Sequence, residues 1–129
     1  MTYYFLESSA LAKLFVRERG TASLIRLIES LDDRQVILST LAHVEVYSAL
    51  RRRERAGEIK PADAQIALQS LALECARMTE QTLNTAVVAA ACQLMDRHAL
   101  RALDALQLAS CLVARSLARA TDFVFVCAD

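Results

Sequence analysis

Four carboxylates in the 129-residue chain stand at positions where chemistry could gather: Glu7, Glu45, Asp104 and Asp129. Glu7 directly follows the aromatic and apolar run Tyr3-Tyr4-Phe5-Leu6, and Asp129 comes two residues after the run Phe123-Val124-Phe125-Val126-Cys127. Glu45 is flanked by Val44 and Val46, and Asp104 stands near the start of a helical pattern, Leu100 to Ala114, that is apolar on nearly every side. Two carboxylates ~4 Å apart repel by roughly 1 kcal/mol in water and about 4 kcal/mol at an intermediate effective dielectric, so such a set is costly when empty. A divalent cation removes the cost. Mg²⁺ takes few carboxylates and keeps several waters, which leaves room for phosphate oxygens and an attacking water.

Each acid also has a simpler reading. At ~100° per residue Asp104 shares a face with Leu108, Cys111 and Leu112, which sets a charge along an apolar wall and demands a partner. Equally, Asp104-Ala105-Leu106-Gln107 fits a capping box with Asp104 as N-cap and Gln107 reaching back to it. Glu45 fits a solvated helical glutamate, Glu7 an acid favoured at a helix N-terminus, and Asp129 an ordinary tail residue.

The elements that would position these groups follow from periodicity and breakers. Tyr3–Leu6 reads as a buried strand, after which Ser8 or Ser9 caps a helix over residues 10–15 that stops at Gly20. Thr21 to Leu31 is a second helix, Gln35 to Leu38 a second strand, and Ser39 or Thr40 opens a helix that runs to Arg51-Arg52-Arg53-Glu54-Arg55 and ends at Gly57. Pro61 starts a helix through Leu73. Glu74 to Met78 is a weak third strand, Glu80 to Arg97 a long Ala-rich helix, and Phe123–Cys127 a last buried strand. Strands separated by helices imply a parallel sheet with helices on both faces. In such a sheet ligands bind beyond the C-terminal strand ends, where strand order reverses. Glu7 and Asp129 face that crevice, Glu45 lies early in the helix after the second strand, and Asp104 opens the buried helix, Leu100 to Ala114, that follows the Ala-rich one.

Composition narrows the alternatives. An apolar fraction of 55% in 129 residues suits one domain over 1–129 with a core sufficient to fold alone. Fifteen basic and fifteen acidic residues cancel, so bulk charge gives no ground for a nucleic-acid partner, and any such case must come from a local site. Cys75, Cys92, Cys111 and Cys127 are widely spaced and read as mostly buried thiols, without zinc or disulfide spacing. His43-Val44-Glu45 is not a metalloprotease motif, and no serine stands in a nucleophile elbow. A phosphoacceptor receiver domain would want paired acids after the first strand and a lysine after the last, and neither is present. With no basic leader and no apolar span of about 18 residues, a cytoplasmic protein without a membrane partner is expected.

Four segments in order, Tyr4-Phe5-Leu6-Glu7-Ser8-Ser9-Ala10-Leu11-Ala12-Lys13-Leu14, Ser39-Thr40-Leu41-Ala42-His43-Val44-Glu45-Val46, Leu100-Arg101-Ala102-Leu103-Asp104-Ala105-Leu106-Gln107-Leu108-Ala109 and Phe123 to Asp129, resemble the motifs of PIN-domain ribonucleases, in particular the VapC toxins of bacterial toxin-antitoxin pairs. The resemblance spans the chain. It implies a three-layer αβα sandwich with a short parallel sheet, a Mg²⁺ or Mn²⁺ cofactor, endonucleolytic cleavage of RNA, a cognate antitoxin partner and a homodimer. Carried over by position, Glu7, Glu45, Asp104 and Asp129 would be both the catalytic and the metal-binding acids. Ser8 would orient a ligand or water. Apart from the resemblance, the basic cluster Arg51 to Arg55, with Arg52 in it, could track a phosphate backbone, although a charged helix end facing solvent is the commoner case. The chain departs from the family in having Glu7 where Asp is usual, in having Cys127 where Thr or Ser is common, and in stopping at Asp129 where relatives continue through a further helix and often a strand. These departures keep a second reading open, a PIN-fold protein that binds an antitoxin or RNA without cleaving.

Overall fold

A computed structural model describes residues 1–119 and 122–128. The strands are β1 (Tyr3–Leu6), β2 (Val36–Ser39), β3 (Thr79–Gln81) and β4 (Phe123–Val126), interleaved with α1 (Ser8–Ala12), α2 (Thr21–Glu29), α3 (Thr40–Arg55), α4 (Pro61–Arg77), α5 (Thr85–Arg97) and α6 (Ala102–Ala118). All pairings are parallel, in the order β3-β2-β1-β4. The chain therefore moves outward from β1 through β2 to β3, and then returns to the other side of β1 to lay down β4. The order reverses at β1, which puts the crevice between the C-terminal ends of β1 and β4.

Side chains alternate across the two inner strands and meet helices on both sides. Phe5 and Ile37, paired in register, pack against Cys111 and Ala114 of α6. Leu6, Val36 and Leu38 pack on the opposite face with Leu11 of α1, Val46 and Leu50 of α3, and Leu68, Leu71 and Cys75 of α4. A third cluster joins Val87 and Ala91 of α5 to Ala105 and Ala109 of α6. These contacts make three layers, and the small residues let α5 and α6 approach closely. Each fully buried Phe or Leu, such as Phe5, Leu6, Leu38, Leu50 and Leu71, contributes roughly 1.5–3 kcal/mol by leaving water.

Local signals account for most boundaries. Ser39 caps α3 by accepting from Leu41 N at 3.1 Å, Pro61 occupies the first turn of α4, and Asn84 caps α5 by accepting from Val87 N at 3.0 Å. Gly57, at φ 76°, supplies the left-handed residue that follows α3. Three expectations are corrected. The weak strand placed at 74–78 is helix, because Ala64, Leu68, Leu71 and Cys75 continue the buried stripe of α4; the strand that follows, Thr79–Gln81, is a three-residue polar edge with no hydrophobic signal. The helix expected from Glu80 therefore begins only at Thr85. The last strand is an edge, with Val124 and Phe125 exposed by 41% and 38%, although Phe125 still stacks on Phe5. Of the cysteines, Cys75 and Cys111 are buried while Cys92 and Cys127 are exposed.

Candidate functional site

Three helices meet beyond the C-terminal end of β1, each contributing one polar side chain. Ser8 opens α1, Glu45 lies in the second turn of α3, and Gln107 lies in the second turn of α6. Ser8 Oγ donates to Glu45 Oε1 at 2.6 Å, and Gln107 Nε2 donates to the same oxygen at 3.0 Å and to Ser8 Oγ at 2.6 Å. The bonds are mutually consistent. The Ser8 hydroxyl gives its one hydrogen to the carboxylate and receives one from the amide, and both amide hydrogens are used. Glu45 and Ser8 are half-buried, whereas Gln107 is only 2% exposed. Behind them a buried polar path continues: Ser110 Oγ donates to Leu106 O at 2.7 Å and lies 3.3 Å from Ser39 Oγ, the cap of α3.

Glu7 is fixed by a separate set of bonds. It is the N-cap of α1, a role expected of Ser8 or Ser9, and its Oε2 accepts from Ser9 N at 2.9 Å, from Ser9 Oγ at short range and from Cys127 Sγ at 3.6 Å. Ser9 Oγ in turn accepts from Ala128 N at 3.0 Å, and Glu7 N donates to Val126 O at 3.0 Å. The cap of α1 is thereby tied to the end of β4 across the crevice.

Asp104 departs from both readings of its sequence. Arg101 is the N-cap of α6, so Asp104 is the third helical residue and makes no capping box; its side chain is exposed rather than set along a buried wall, and Leu103 and Leu112 are exposed as well. An acid in the first turn is favoured by the helix dipole. Asp104 lies three residues before Gln107, one turn nearer the helix start on the same side. Asp129 lies outside the described residues. Arg52 is exposed near the end of α3 and forms no ion pair with the described residues, whereas Arg51 pairs with Glu54 at 2.9 Å and Arg53 with Glu18 at 3.1 Å. Lys13 is likewise engaged, with Glu18 at 3.1 Å and Arg19 O at 2.7 Å.

Gln107 is the site residue that sequence reasoning missed. Its pattern signal, Asp-x-x-Gln at a helix start, matched a capping box. A better clue was its phase: Gln107 falls on the same face as Ser110, Cys111 and Ala114, so a long amide had to be buried there.

Among the described residues no group of three or more His, Cys, Asp or Glu side chains forms a metal cluster. The donor set nevertheless suits a hard cation that takes one or two carboxylates and retains waters. Glu7 and Glu45 each direct their protein hydrogen bonds to a single oxygen, Oε2 and Oε1 respectively, and their other oxygens accept none from the described residues. Among the described residues no cluster of cysteines and histidines offers a soft-metal site. Burial pushes the Cys111 thiol up to about 11, which keeps it protonated behind the sheet.

The comparisons agree with this architecture. The crystal structure of VapC20 from Mycobacterium tuberculosis, described as a sarcin-ricin loop cleaving toxin, superposes with a TM-score of 0.66 at 20% identity, over 89% of this chain and 83% of that one. At that identity the likeness speaks for the fold. No curated protein matches by sequence, and no helix among the described residues is long and apolar enough to cross a membrane. The PIN domain family matches residues 4–125, nearly the whole chain, and with the parallel three-layer fold and the acids at its switch point this shows that the chain belongs to the PIN domain family.

Proposed function

We propose that this chain is a metal-dependent endoribonuclease of the VapC type, the toxin of a toxin-antitoxin pair. The observation that carries the reading is the pair of anchored carboxylates at the switch point, Glu45 held by Ser8 and Gln107, and Glu7 held by Ser9, each with a second oxygen that accepts no hydrogen bond from the described residues. In this reading Glu7, Glu45, Asp104 and Asp129 are the acids of the site. Mg²⁺ or Mn²⁺, when bound, would polarise a phosphate oxygen and lower the pKa of a coordinated water. Ser8 orients Glu45, and Arg52, exposed and without an ion pair among the described residues, would contact a substrate phosphate.

The reading extends to a protein partner. A groove of about 740 Å³ between α2 and α4 is lined by apolar Phe15, Ile25, Ile28 and Ile66 and by acidic Glu29 and Asp63. An antitoxin segment that presents apolar side chains alongside basic ones would match it. A homodimer and a cytoplasmic location belong to the same proposal.

One observation favours the second reading, a PIN-fold protein that binds an antitoxin or RNA without cutting. The Glu7 carboxylate is already engaged as a helix cap. Mn²⁺ titration of the wild type and Glu45→Gln by calorimetry separates the two. The nuclease reading predicts saturable binding that weakens at least about tenfold in the variant, and RNA cleavage that EDTA abolishes. Wild-type protein that neither binds Mn²⁺ nor cleaves RNA would favour the binding protein.

A further inference from the structure

We infer that Gln107 is a positioning residue for Glu45, resting on the metal-nuclease reading above. Gln107 is polar, 2% exposed and placed on a buried helix face that it shares with Ser110, Cys111 and Ala114, so the burial of a long amide there needs a physical reason. Both hydrogens of its amide are committed, one to Ser8 Oγ and one to Glu45 Oε1. Its own carbonyl oxygen is buried without a hydrogen-bond partner among the described residues.

The orientation of the amide follows from this arrangement. Turning the group over would satisfy nothing at Glu45, since the amide carbonyl oxygen would then face a carboxylate oxygen. The orientation that donates to Glu45 is therefore kept even though it leaves an acceptor unpaired, an imbalance that buried amides avoid unless something offsets it. What offsets it is the carboxylate. With two donors on Oε1, from α1 and α6, the Glu45 carboxylate is tethered from two sides, and its second oxygen accepts no hydrogen bond from the described residues. A simple strut between helices would not require both donors to converge on one carboxylate oxygen.

Outer partners that fix a metal-binding carboxylate typically change metal affinity by about 10- to 100-fold when removed. Gln107→Met keeps the length and volume of the side chain and deletes both donors. The test compares wild type and Gln107→Met in Mn²⁺ titration followed by electron paramagnetic resonance, in thermal unfolding, and in RNA cleavage resolved into kcat and KM. The expected result is a folded variant whose Mn²⁺ affinity falls about 10-fold or more and whose kcat falls with little change in KM. Gln107→Glu, which sets a second carboxylate against Glu45, should bind Mn²⁺ differently from wild type as well and should not restore kcat. A folded Gln107→Met that binds Mn²⁺ as wild type does and retains kcat would overturn the inference and leave Gln107 as packing alone. Wild-type protein without Mn²⁺ binding would overturn the metal site itself, and this inference with it.

Discussion

Glu7 carries two roles that ordinary substitution would confuse. Its Oε2 caps α1 through Ser9 N at 2.9 Å, and its Oε1 is the oxygen proposed to meet a cation. Glu7→Ala would remove both, and the lost cap alone would cost about 1 kcal/mol. Glu7→Gln separates them, because a neutral amide still offers a carbonyl oxygen to the Ser9 N–H while its charge is gone. The variant should unfold within a few degrees of wild type yet cleave RNA at least about tenfold more slowly, by analogy with the loss of groups that support a metal site. Unchanged cleavage would leave Glu7 as a cap only. The same Oε2 reaches both Ser9 and the residue just past β4, where Cys127 Sγ lies 3.6 Å away. Residue types identified Glu7, Glu45 and Asp104 as candidates, but not their bonds. Glu45 draws its partners from α1 and α6, contacts that no local pattern encodes, and Gln107 was hidden behind a plausible capping motif.

At the scale of elements, legibility followed hydrophobic contrast. β1 and β2 are apolar runs buried on both faces and were found within a residue, and α3 was bracketed by Ser39 and Gly57. β3 escaped because Thr79-Glu80-Gln81 pairs by backbone at a sheet edge, where polar side chains are compatible with strand. α6 was recognised, but its start was misplaced because Asp104 is a better N-cap by type than Arg101; the tertiary fold set the boundary instead. The buried thiols give this level a direct test. Burial raises Cys75 in α4 and Cys111 in α6 from 9.0 to about 11. In the native protein a thiol-specific disulfide reagent at pH 8 should modify Cys92 and Cys127 quickly and Cys75 and Cys111 only on unfolding. Raised folded values also set a sign for stability: the native state keeps protons that the unfolded chain releases, so the contribution is full below pH 9 and declines as pH rises from about 9 to about 11. Urea unfolding across that range should show falling stability. A flat profile, together with rapid modification of all four thiols, would contradict the burial of α4 and α6 against the sheet.

The whole molecule joins these levels through one topological event, the return of the chain to the far side of β1. That return places β4 beside β1, ties Ala128 to Ser9, and leaves Glu7 at the point where strand order reverses. The acid-bearing helices converge on the same end. α3 brings Glu45 from the β2 side, and α6 brings Gln107 to it with Asp104 one turn earlier. With a net formal charge of zero, bulk charge gives the chain no general attraction for RNA, so the proposed recognition would have to rest on local groups and on the site itself. The parallel sheet and helices on both faces were readable from the alternation of strands and helices; the depth of Asp104 was not, because an all-round apolar pattern suggested burial for a helix whose first turn is exposed. Asp104 can therefore be substituted with little disturbance of the core, since its side chain is exposed in the first turn of α6. The most direct measurement is the rate of Mn²⁺-dependent RNA cleavage by wild type and by Asp104→Asn, with thermal unfolding recorded on both. The proposed nuclease predicts active wild type and a folded variant in which cleavage has disappeared, whereas equal cleavage by the two proteins would contradict it.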